Sequence, residues 1–525
     1  MYGYGYSLYN RLAFLGGLDS DATAFFSATG ITDPTIQGAI NSLCVDLKTY
    51  GVWDKMKAIY PFVGGTANTH SYNLVNTALH QITWFGGLTH DANGVTPNGT
   101  NGYGNLNFNP RTHLGAQSSM GTYIRVNNTL SGKVDYGSSN LDGFQNACLI
   151  ASFGNLIYFQ NIGGVNNITT PNATTNAFFH TGVDTSNNIF AYKNNTLMLS
   201  KTPAVIGTPP NVNTTLFAYN AGGVGSFSPR PSSFFFAGSG ITQEDNGNIY
   251  YCIQKFQTTL GRQVGTPIYS SNATDVNARL FLGATNIQDA TITSAVDTLV
   301  QGLKTDGVWS KLKAVYPFVG GTATTHKFNL ANALDEDTSF RLAFSGGWTH
   351  ANTGATPNGT NGFANTFFNP SLNLTASSSH VTFYSRTNFA PASPADKCFY
   401  GVLKTSNYFI ADLYLSNYTT AYTHSGSFTY NALNTGSTGL IMVKNIGGTQ
   451  KFLRNNVTIH TSNPSGGYAN DNIYLNALNL NGTSVTNYSP YQCAFASFGD
   501  GLTDTEASNL YTRVQAFQTT LNRQV

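Results

Sequence analysis

Charged side chains are scarce in this chain. They make up 10% of its 525 residues, and the formal net charge is +2. Proteins that bind nucleic acid or anionic membranes present clustered Lys and Arg, and a chain with so little charge of either sign offers no such surface. We therefore predict neither a nucleic-acid partner nor a membrane partner.

Glutamate is scarcer still, because Glu244, Glu336 and Glu506 are its only occurrences. A retaining glycosidase needs two carboxyl groups held ~5 Å apart. Glu506 falls in a helix-capping pattern, and Glu336 lies in an insertion that only one half of the chain has. The sequence therefore predicts a non-enzymatic protein without catalytic residues.

The five cysteines do not form a disulfide framework, because their number is odd and the two halves of the chain do not share their spacing. Such a set predicts free, mostly buried thiols and folding in a reducing cytoplasm. The amino-terminal sequence MYGYGYSLYNRLAFLGG has no basic region ahead of an apolar run, so we expect no signal peptide. No apolar stretch approaches the ~20 residues of a membrane-spanning helix.

What the chain does contain is a long internal duplication. The block LKTYGVWDKMKAIYPFVGGT, which starts at Leu47, returns at Leu303 as LKTDGVWSKLKAVYPFVGGT. The block FQTTLGRQV, near the middle of the chain, returns at its end as FQTTLNRQV. Each copy is long enough for a complete hydrophobic core. We therefore predict two tandem domains, residues 1–264 and residues 265–525.

Each copy has the pattern of a helix, a series of short strands and a second helix. Thr32 or Asp33 fits the N-cap of the first helix, and Thr503 with Glu506 forms a capping-box pattern ahead of the last one. The apolar spacing over residues 52–60 predicts a further short helix that ends before a proline, and the second copy has the same pattern.

The stretches between the helices are typical of β-strands. They are short, rich in β-branched and aromatic residues, and bounded by Gly, Asn or Ser. They include residues 149–153, 156–160, 233–237, 382–386, 399–403, 408–415, 440–444 and 494–498. Lys193–Asn195 and Arg454–Asn456 predict tight hairpin turns, because Asn readily takes a positive φ. Many short strands without alternating helices predict a mostly β, antiparallel sandwich.

These patterns resemble the concanavalin A-like, laminin-G-like jelly roll. The resemblance rests on the Arg/Lys-Asn-Asn hairpin, the strand over Phe495–Leu502 and the Thr-Asp-x-Glu-Ala helix start that follows it. The blocks GVWDKMKAIYPFVGGTA, GGWTH...PNGTN and LYTRVQAFQTTLNRQV resemble repeats in structural proteins of tailed bacteriophages, fibre and appendage proteins especially. The resemblance implies two jelly-roll β-sandwich domains, each with flanking amino- and carboxy-terminal helices.

The resemblance also implies a function. We expect a structural or appendage protein of a virion, in a head or tail fibre or on the capsid, made in the host cytoplasm and exposed on the particle. The implied partners are other virion proteins, further copies of the chain in a homo-oligomer and host-surface glycans. The alternative is a secreted carbohydrate-binding lectin or adhesin, which would carry an export signal.

The repeated loop TPNGTNG is the candidate ligand-binding segment. Asn side chains offer paired donors and acceptors to a glycan, and aromatic residues lie close to the loop in sequence. The alternative is a structural turn that needs Gly and Asn at positive φ. The sequence favours the turn, because the loop holds no aromatic residue of its own. The candidate ligand-binding residues are Asn98, Asn101, Tyr103, Asn358, Asn361 and Trp348.

Two histidines recur in both copies. His70 and His90 return as His326 and His350, each preceded by Thr. A metal site would need a third ligand at a fixed spacing, and none recurs. We therefore expect each imidazole to fix a loop by bonding a backbone carbonyl oxygen. We predict no cofactor, although a calcium site built from carbonyl oxygens and one Asp would leave no signature that locates it.

Overall fold

The computed structural model describes residues 17–140, 146–161, 168–202, 207–375, 377–389, 397–405, 407–414, 418–423, 432–433, 437–464 and 467–525. Most of the amino-terminal sequence in which no signal peptide is predicted lies outside this part. The chain divides into two compact units, residues 1–267 and residues 268–525. The boundary expected after residue 264 lies three residues from this division.

Helices stand near both ends of each unit. The α-helices of the described residues are α1 (Ser20–Thr29), α2 (Pro34–Thr49), α3 (Ala67–Ser71), α4 (Pro110–His113), α5 (Gln243–Thr259), α6 (Val276–Thr285), α7 (Ala290–Thr305), α8 (Ala323–His326), α9 (Pro370–Asn373) and α10 (Asp504–Thr520). Short 3-10 helices span Trp53–Lys55, Trp309–Lys311 and Asp337–Ser339.

The remaining elements are short strands. The strands of the first unit are β1 (Met56–Tyr60), β2 (Thr83–Phe85), β3 (Leu88–Asp91), β4 (Gly94–Pro97), β5 (Tyr103–Asn105), β6 (Ser118–Ile124), β7 (Tyr136–Ser139), β8 (Asn146–Phe153), β9 (Leu156–Asn161), β10 (Ile168–Pro171), β11 (Ala177–Val183), β12 (Ile189–Lys193), β13 (Thr196–Lys201), β14 (Thr215–Leu216), β15 (Tyr219–Asn220), β16 (Val224–Gly225) and β17 (Ser232–Ser239). The strands of the second unit are β18 (Leu312–Tyr316), β19 (Ala343–Ser345), β20 (Trp348–Ala351), β21 (Gly354–Pro357), β22 (Phe363–Asn365), β23 (Ser378–Ser385), β24 (Lys397–Lys404), β25 (Asn407–Tyr414), β26 (Tyr418–Thr423), β27 (Ala432–Leu433), β28 (Gly439–Ile446), β29 (Thr449–Arg454), β30 (Val457–Ser462), β31 (Tyr474–Leu475), β32 (Leu478–Leu480), β33 (Ser484–Thr486) and β34 (Cys493–Gly499).

The first unit is a sandwich of two sheets. One has the strand order β13-β12-β11-β6-β17-β4-β3, with β1 also paired to β17. We call it the helix-covered sheet, because Tyr123 on its outer side donates a hydrogen bond to Gln254 of α5, and Phe234 contacts Phe256 of the same helix. The other sheet has the order β10-β9-β8-β7-β14-β5-β2. We call it the open sheet, because half-exposed side chains line its outer side.

The second unit repeats this arrangement. Its helix-covered sheet has the order β20-β21-β34-β23-β28-β29-β30, with β18 paired to β34, and its open sheet has the order β19-β22-β31-β24-β25-β26-β27, with β32 paired to β24. Large aromatic residues fill the space between the sheets in both units, among them Tyr60, Phe235 and Tyr136 in the first. The prediction of two mostly β sandwich domains with flanking helices is confirmed.

The helix predicted over residues 52–60 is wrong. Only Trp53–Lys55 forms a short 3-10 turn, and the chain then enters β1 (Met56–Tyr60), which pairs with β17. Its pattern of burial has four buried residues in five, so the apolar run that fits a helical spacing also fits a strand buried on both faces. The second copy behaves in the same way, with β18 on β34.

The capping predictions are confirmed. Asp33 accepts hydrogen bonds from the backbone N–H groups of Thr35 and Ile36 at the start of α2. Thr503 and Glu506 form the capping box of α10. Two short helices, α1 and α6, were not predicted; they precede the predicted first helix of each copy.

Both predicted hairpin turns are also present. Asn194 and Asn195 have φ of 53° and 81° between β12 and β13, and Asn455 and Asn456 have φ of 48° and 64° between β29 and β30. Two successive residues at positive φ match the twist of the flanking strands, which is why Asn is found there. The five cysteines are free and buried, as the sequence predicts.

A buried arginine explains why the closing block FQTTL(G/N)RQV is repeated. Arg262 is 1% exposed, and its guanidinium donates to the backbone carbonyl oxygens of Pro61, Phe62 and Ser233 at 2.6 to 3.1 Å. Arg523 makes the same contacts in the second unit. The end of the last helix of each copy is thereby fixed to the end of the first strand.

Candidate functional site

The outer side of the first unit's open sheet is the candidate site. Side chains alternate along each strand, so Tyr136 and its partner Leu149 point into the core while Gly137 and its partner Cys148 point outward. The same alternation places Tyr103 of β5 and Phe85 of β2 on the outer side, as a directly opposed pair. This side of the sheet therefore presents aromatic rings to solvent.

Three rings form a first cluster at one end of this side. Phe85 and Tyr103 are stacked, with ring centroids 4.8 Å apart and planes inclined by 13°, and Phe227 lies 6.2 Å from Tyr103. Phe85 is 42% exposed, and the other two rings are half-buried. Among the described residues, no protein group bonds the Tyr103 hydroxyl, which leaves it available to a ligand.

A second cluster continues across the sheet toward β9. Tyr219 lies over Gly137, where a Cβ atom would come within 2.6 Å of the ring, so glycine is required for this approach. The Tyr219 hydroxyl donates to Asn146 Oδ1 at 2.8 Å. Beyond it, Tyr158 pairs with Ile150 across the strands, and both belong to the same apolar cluster as Tyr219.

The second unit has a matching first cluster. Phe363 stacks on Tyr474 with centroids 4.8 Å apart and an angle of 22°, and Tyr488 lies 6.4 Å from Phe363. Phe363 occupies the strand position of Tyr103. Ser345 stands opposite Phe363, where the first unit has Phe85. The ring that stacks on Tyr103 or on Phe363 therefore comes from a different strand in each unit, while the cluster is retained.

The second cluster differs between the units. Gly401 takes the place of Gly137, and its outward side is covered by the aliphatic side chains of Ile410 and Leu478. Leu403 and Tyr408 pack beside them. The second unit thus offers an aromatic cluster followed by a mainly aliphatic surface that includes one tyrosine.

The TPNGTNG loop stands beside the first cluster and is held by its own side chains. Asn98 Oδ1 accepts hydrogen bonds from the backbone N–H groups of residues 100, 101 and 102, and Asn98 Nδ2 donates to Asn101 Oδ1 at 2.7 Å. Asn101 Oδ1 also accepts from the N–H of Gly87, which follows Phe85 closely in the chain. Asn358 and Asn361 repeat these contacts.

These contacts favour the interpretation of the loop as a structural turn over its interpretation as a ligand-contacting tip. The positive φ in the loop belongs to Gly99 and Gly359, at 74° and 75°, and the two asparagines act through their side chains instead. The expectation that Asn supplies the positive φ is therefore wrong, because a side-chain cap of three N–H groups fixes the same turn. The loop thus sets the position of the strand that carries Tyr103.

The predicted site residues separate into two places. Tyr103 belongs to the exposed ring cluster, with Asn98 and Asn101 beside it. Trp348 does not belong to the matching cluster, because its ring is stacked on His350 with centroids 6.0 Å apart, and its Nε1 donates to the carbonyl oxygens of Ser345 and Phe363. Trp348 packs against the core of the second unit at the edge of the sandwich.

Phe85, Phe227, Tyr474 and Tyr488 belong to the clusters but were not predicted. They come from strands and loops far apart in sequence, so no local pattern joins them to Tyr103. A signal was present in the duplication, because Phe227 and Tyr488 both precede a Ser-Pro dipeptide and are aromatic in both copies.

The repeated histidines form a pair in each unit, in which His70 and His326 are buried and His90 and His350 are half-buried. His70 Nδ1 lies 3.0 Å from His90 Nδ1, and His326 Nδ1 lies 2.9 Å from His350 Nδ1. The expectation that each ring bonds a carbonyl oxygen is wrong for these four residues, because the loop and the strand bring the two imidazoles within hydrogen-bonding distance of each other. Burial lowers the pKa of His70 to about 3, with smaller contributions from the charges of His90 and Arg262.

Among the described residues, no group of three or more His, Cys, Asp or Glu side chains is placed to hold a metal ion. The guanidinium of Arg262 also opposes a cation beside His70.

No helix in the described part of the chain has the length and hydrophobicity needed to span a bilayer.

Comparison with known proteins gives distant matches only. No family model matches the chain, and no curated protein matches it. Among solved structures, it is similar to domain 4 of AbnA, an extracellular arabinanase of Geobacillus stearothermophilus, in complex with arabinotriose. That match has 15% identity and a TM-score of 0.29, and it covers 37% of this chain and 98% of that one.

A second match is a botulinum neurotoxin type C structure whose description concerns cell entry and two ganglioside molecules. It has 14% identity and a TM-score of 0.28, and it covers 40% of this chain and about half of that one, 53%. A Trypanosoma rangeli sialidase structure matches with 7% identity and a TM-score of 0.29, over 73% of this chain and 61% of that one. At such TM-scores the matches assign neither a family nor an activity.

Proposed function

We propose that the protein is a non-enzymatic appendage component of a virion that binds glycans through the outer side of its open sheets. The observation that carries the glycan-binding part is the exposed ring cluster, Phe85 with Tyr103 and Phe227, which recurs as Phe363 with Tyr474 and Tyr488. A stacked, solvent-facing cluster kept in both copies, although one ring comes from a different strand, indicates a shared use.

The chemistry of the cluster fits a sugar. A pyranose ring has an apolar face of C–H groups and a rim of hydroxyls, and tyrosine offers an apolar ring with a polar tip at a low cost in side-chain entropy. Rigid aromatic rings with a few hydrogen-bonding groups are what a binding site for a small polar molecule requires. The stacking of Phe85 on Tyr103 also holds the ring in place before any ligand binds.

The positions of the glutamates support a non-enzymatic role. Glu506 accepts from the backbone N–H of Thr503 and pairs with Lys311 at 2.6 Å, so it is engaged at the start of α10. Glu244 lies in the first turn of α5, and Glu336 occupies the N-cap position of a short 3-10 helix without a side-chain capping bond. None of the three lies in the open sheets that carry the ring clusters.

Binding is tested on a glycan array with the whole chain, a double variant Tyr103→Ala/Tyr488→Ala and a control variant Tyr269→Ala. Tyr269 is 37% exposed and lies in a segment ahead of α6, outside the strands of both open sheets. We expect the wild type and the control to bind the same glycans and the double variant to lose them. Equal binding by all three proteins would contradict the assignment of the clusters.

The virion part of the proposal is supported by the repeated blocks that resemble phage structural proteins and by the low charge of the surface. It is tested by density-gradient fractionation of a lysate from the source organism, with the chain located by blot and immunogold labelling. Co-sedimentation with particles, labelled on a head or tail fibre, is the expected result. A chain found only in the soluble fraction would favour the secreted lectin or adhesin.

A further inference from the structure

The outer side of the first unit's open sheet extends well beyond one ring cluster. The sheet order places β2 at one side and β9 five strand-to-strand steps away, through β5, β14, β7 and β8. Neighbouring strands are ~4.8 Å apart, so this row spans about 24 Å. A single sugar ring covers one end of such a row, whereas several linked sugars are needed to cover all of it.

Aromatic groups occur along the whole row. Phe85 and Tyr103 stand at one end, Tyr219 lies over the middle at Gly137, and Tyr158 stands at the other end beside Ile150. Gly137 allows the Tyr219 ring to approach the sheet closely, and this half-buried ring covers the middle of the row. None of these side chains carries a formal charge at neutral pH.

We propose that this row binds a neutral oligosaccharide chain of several linked units, which lies across the strands from Phe85 and Tyr103 to Tyr158. The proposal rests on the glycan-binding function and specifies its ligand. Each successive sugar of a bound chain contacts a further aromatic group without a new loss of translational freedom, so affinity grows with chain length until the row is filled.

The second unit provides the contrast. Its row begins with the cluster at Phe363 and continues with Ile410 and Leu478, against which Tyr408 packs. Leu478 over Gly401 lacks the flat stacking face that the Tyr219 ring has over Gly137. The length dependence therefore belongs to the first unit.

The test measures the affinity of the whole chain for neutral gluco-, manno- and xylo-oligosaccharides of one to six units by isothermal titration calorimetry. We expect at least a tenfold gain from one unit to the longest chain in the series that binds best. Tyr103→Ala should weaken binding at every length, whereas Tyr158→Ala should leave the shortest ligands unchanged and remove most of the gain. Tyr269→Ala, outside the strands of both open sheets, should alter neither.

The outcomes separate the two proposals. Binding that is equally tight for one unit and for six, with no effect of Tyr158→Ala on long chains, would overturn the extended row while the glycan-binding function stands. Tighter binding of uronic-acid chains than of neutral ones would overturn the neutral ligand class. Absence of binding to every series and to the glycan array would refute the glycan-binding function itself. Thermal unfolding at the wild-type temperature for each variant confirms that lost binding is not lost folding.

Discussion

The buried histidines predict that mild acid destabilises the protein. His70 is 1% exposed and His180 is fully buried, and burial lowers their pKa values to about 3 and about 4. His326 and His380 repeat this in the second unit, with pKa values lowered to about 3 and about 4 by burial. In the unfolded chain the same side chains titrate near pH 6.5.

The sign follows from proton binding. Between the folded and unfolded pKa values the unfolded chain holds more protons, so the free energy of unfolding falls as the pH falls below 6.5 and continues to fall until the folded pKa is reached. When the pH is lowered from 7.5 to 5.0, each of these histidines reduces the free energy of unfolding by about 2 kcal/mol. Two in each unit cost about 4 kcal/mol, which is a large part of the 5 to 15 kcal/mol of a typical domain.

The geometry of the pair explains why it does not simply accept a proton. His70 Nδ1 and His90 Nδ1 face each other at 3.0 Å, so one proton can lie between them but two cannot. His70 Nε2 is buried without a hydrogen-bond partner, and a proton placed there would remain unpaired. The neutral pair already has one proton between the Nδ1 atoms and one on an Nε2 atom, so a further proton places an N–H on the buried His70 Nε2, and this disfavours the folded state.

Urea unfolding followed by tryptophan fluorescence at pH 7.5 and pH 5.0 measures the effect. We expect the wild type to lose about 4 kcal/mol per unit over this range, and His70→Gln to lose about 2 kcal/mol less in the first unit. Hydrogen exchange measured peptide by peptide assigns each change to its unit. The control is His326→Gln, which should reduce the loss of stability at pH 5.0 only in the second unit. Equal stability at the two pH values would refute the reasoning.

Three further predictions concern the scaffold and the row. Arg262→Met should lower the free energy of unfolding by about 3 to 5 kcal/mol, measured by urea unfolding, because several buried carbonyl oxygens lose their donor. Gly137→Ala should reduce glycan affinity on the array, because the added Cβ lies 2.6 Å from the Tyr219 ring and must displace it. Asn98→Ala should cost about 1 to 2 kcal/mol in thermal unfolding, since three backbone N–H groups lose their acceptor.

Local patterns accounted for the parts of the fold that depend on neighbouring residues. Caps and turns are of this kind, because the N-cap Asp33 and the Asn-Asn hairpins act within four residues of their own position. The helix predicted over residues 52–60 was wrong for the opposite reason. Their apolar spacing suits a helix and a buried strand alike, and pairing with β17, some 180 residues away, decides between them.

The candidate site was only partly predictable because its members meet through the sheet order. Tyr103 was found through its nearness to the repeated loop, but Phe85 lies opposite it across a strand pair and Phe227 comes from the far end of the unit. The asparagines were predicted as ligand-binding residues, but their side chains stabilise the turn. Asn98 Oδ1 accepts hydrogen bonds from three backbone N–H groups, and Asn98 Nδ2 donates to Asn101.

The duplication itself separates scaffold from site. The blocks that are nearly identical in the two copies supply the buried arginines, the histidine pairs and the Asn-stabilised loops, all of which join one element of the sandwich to another. The open sheets differ where they face solvent, since Tyr219 over Gly137 corresponds to Leu478 over Gly401. Two copies that keep their internal contacts while their outer surfaces diverge are suited to present two different binding surfaces on one chain.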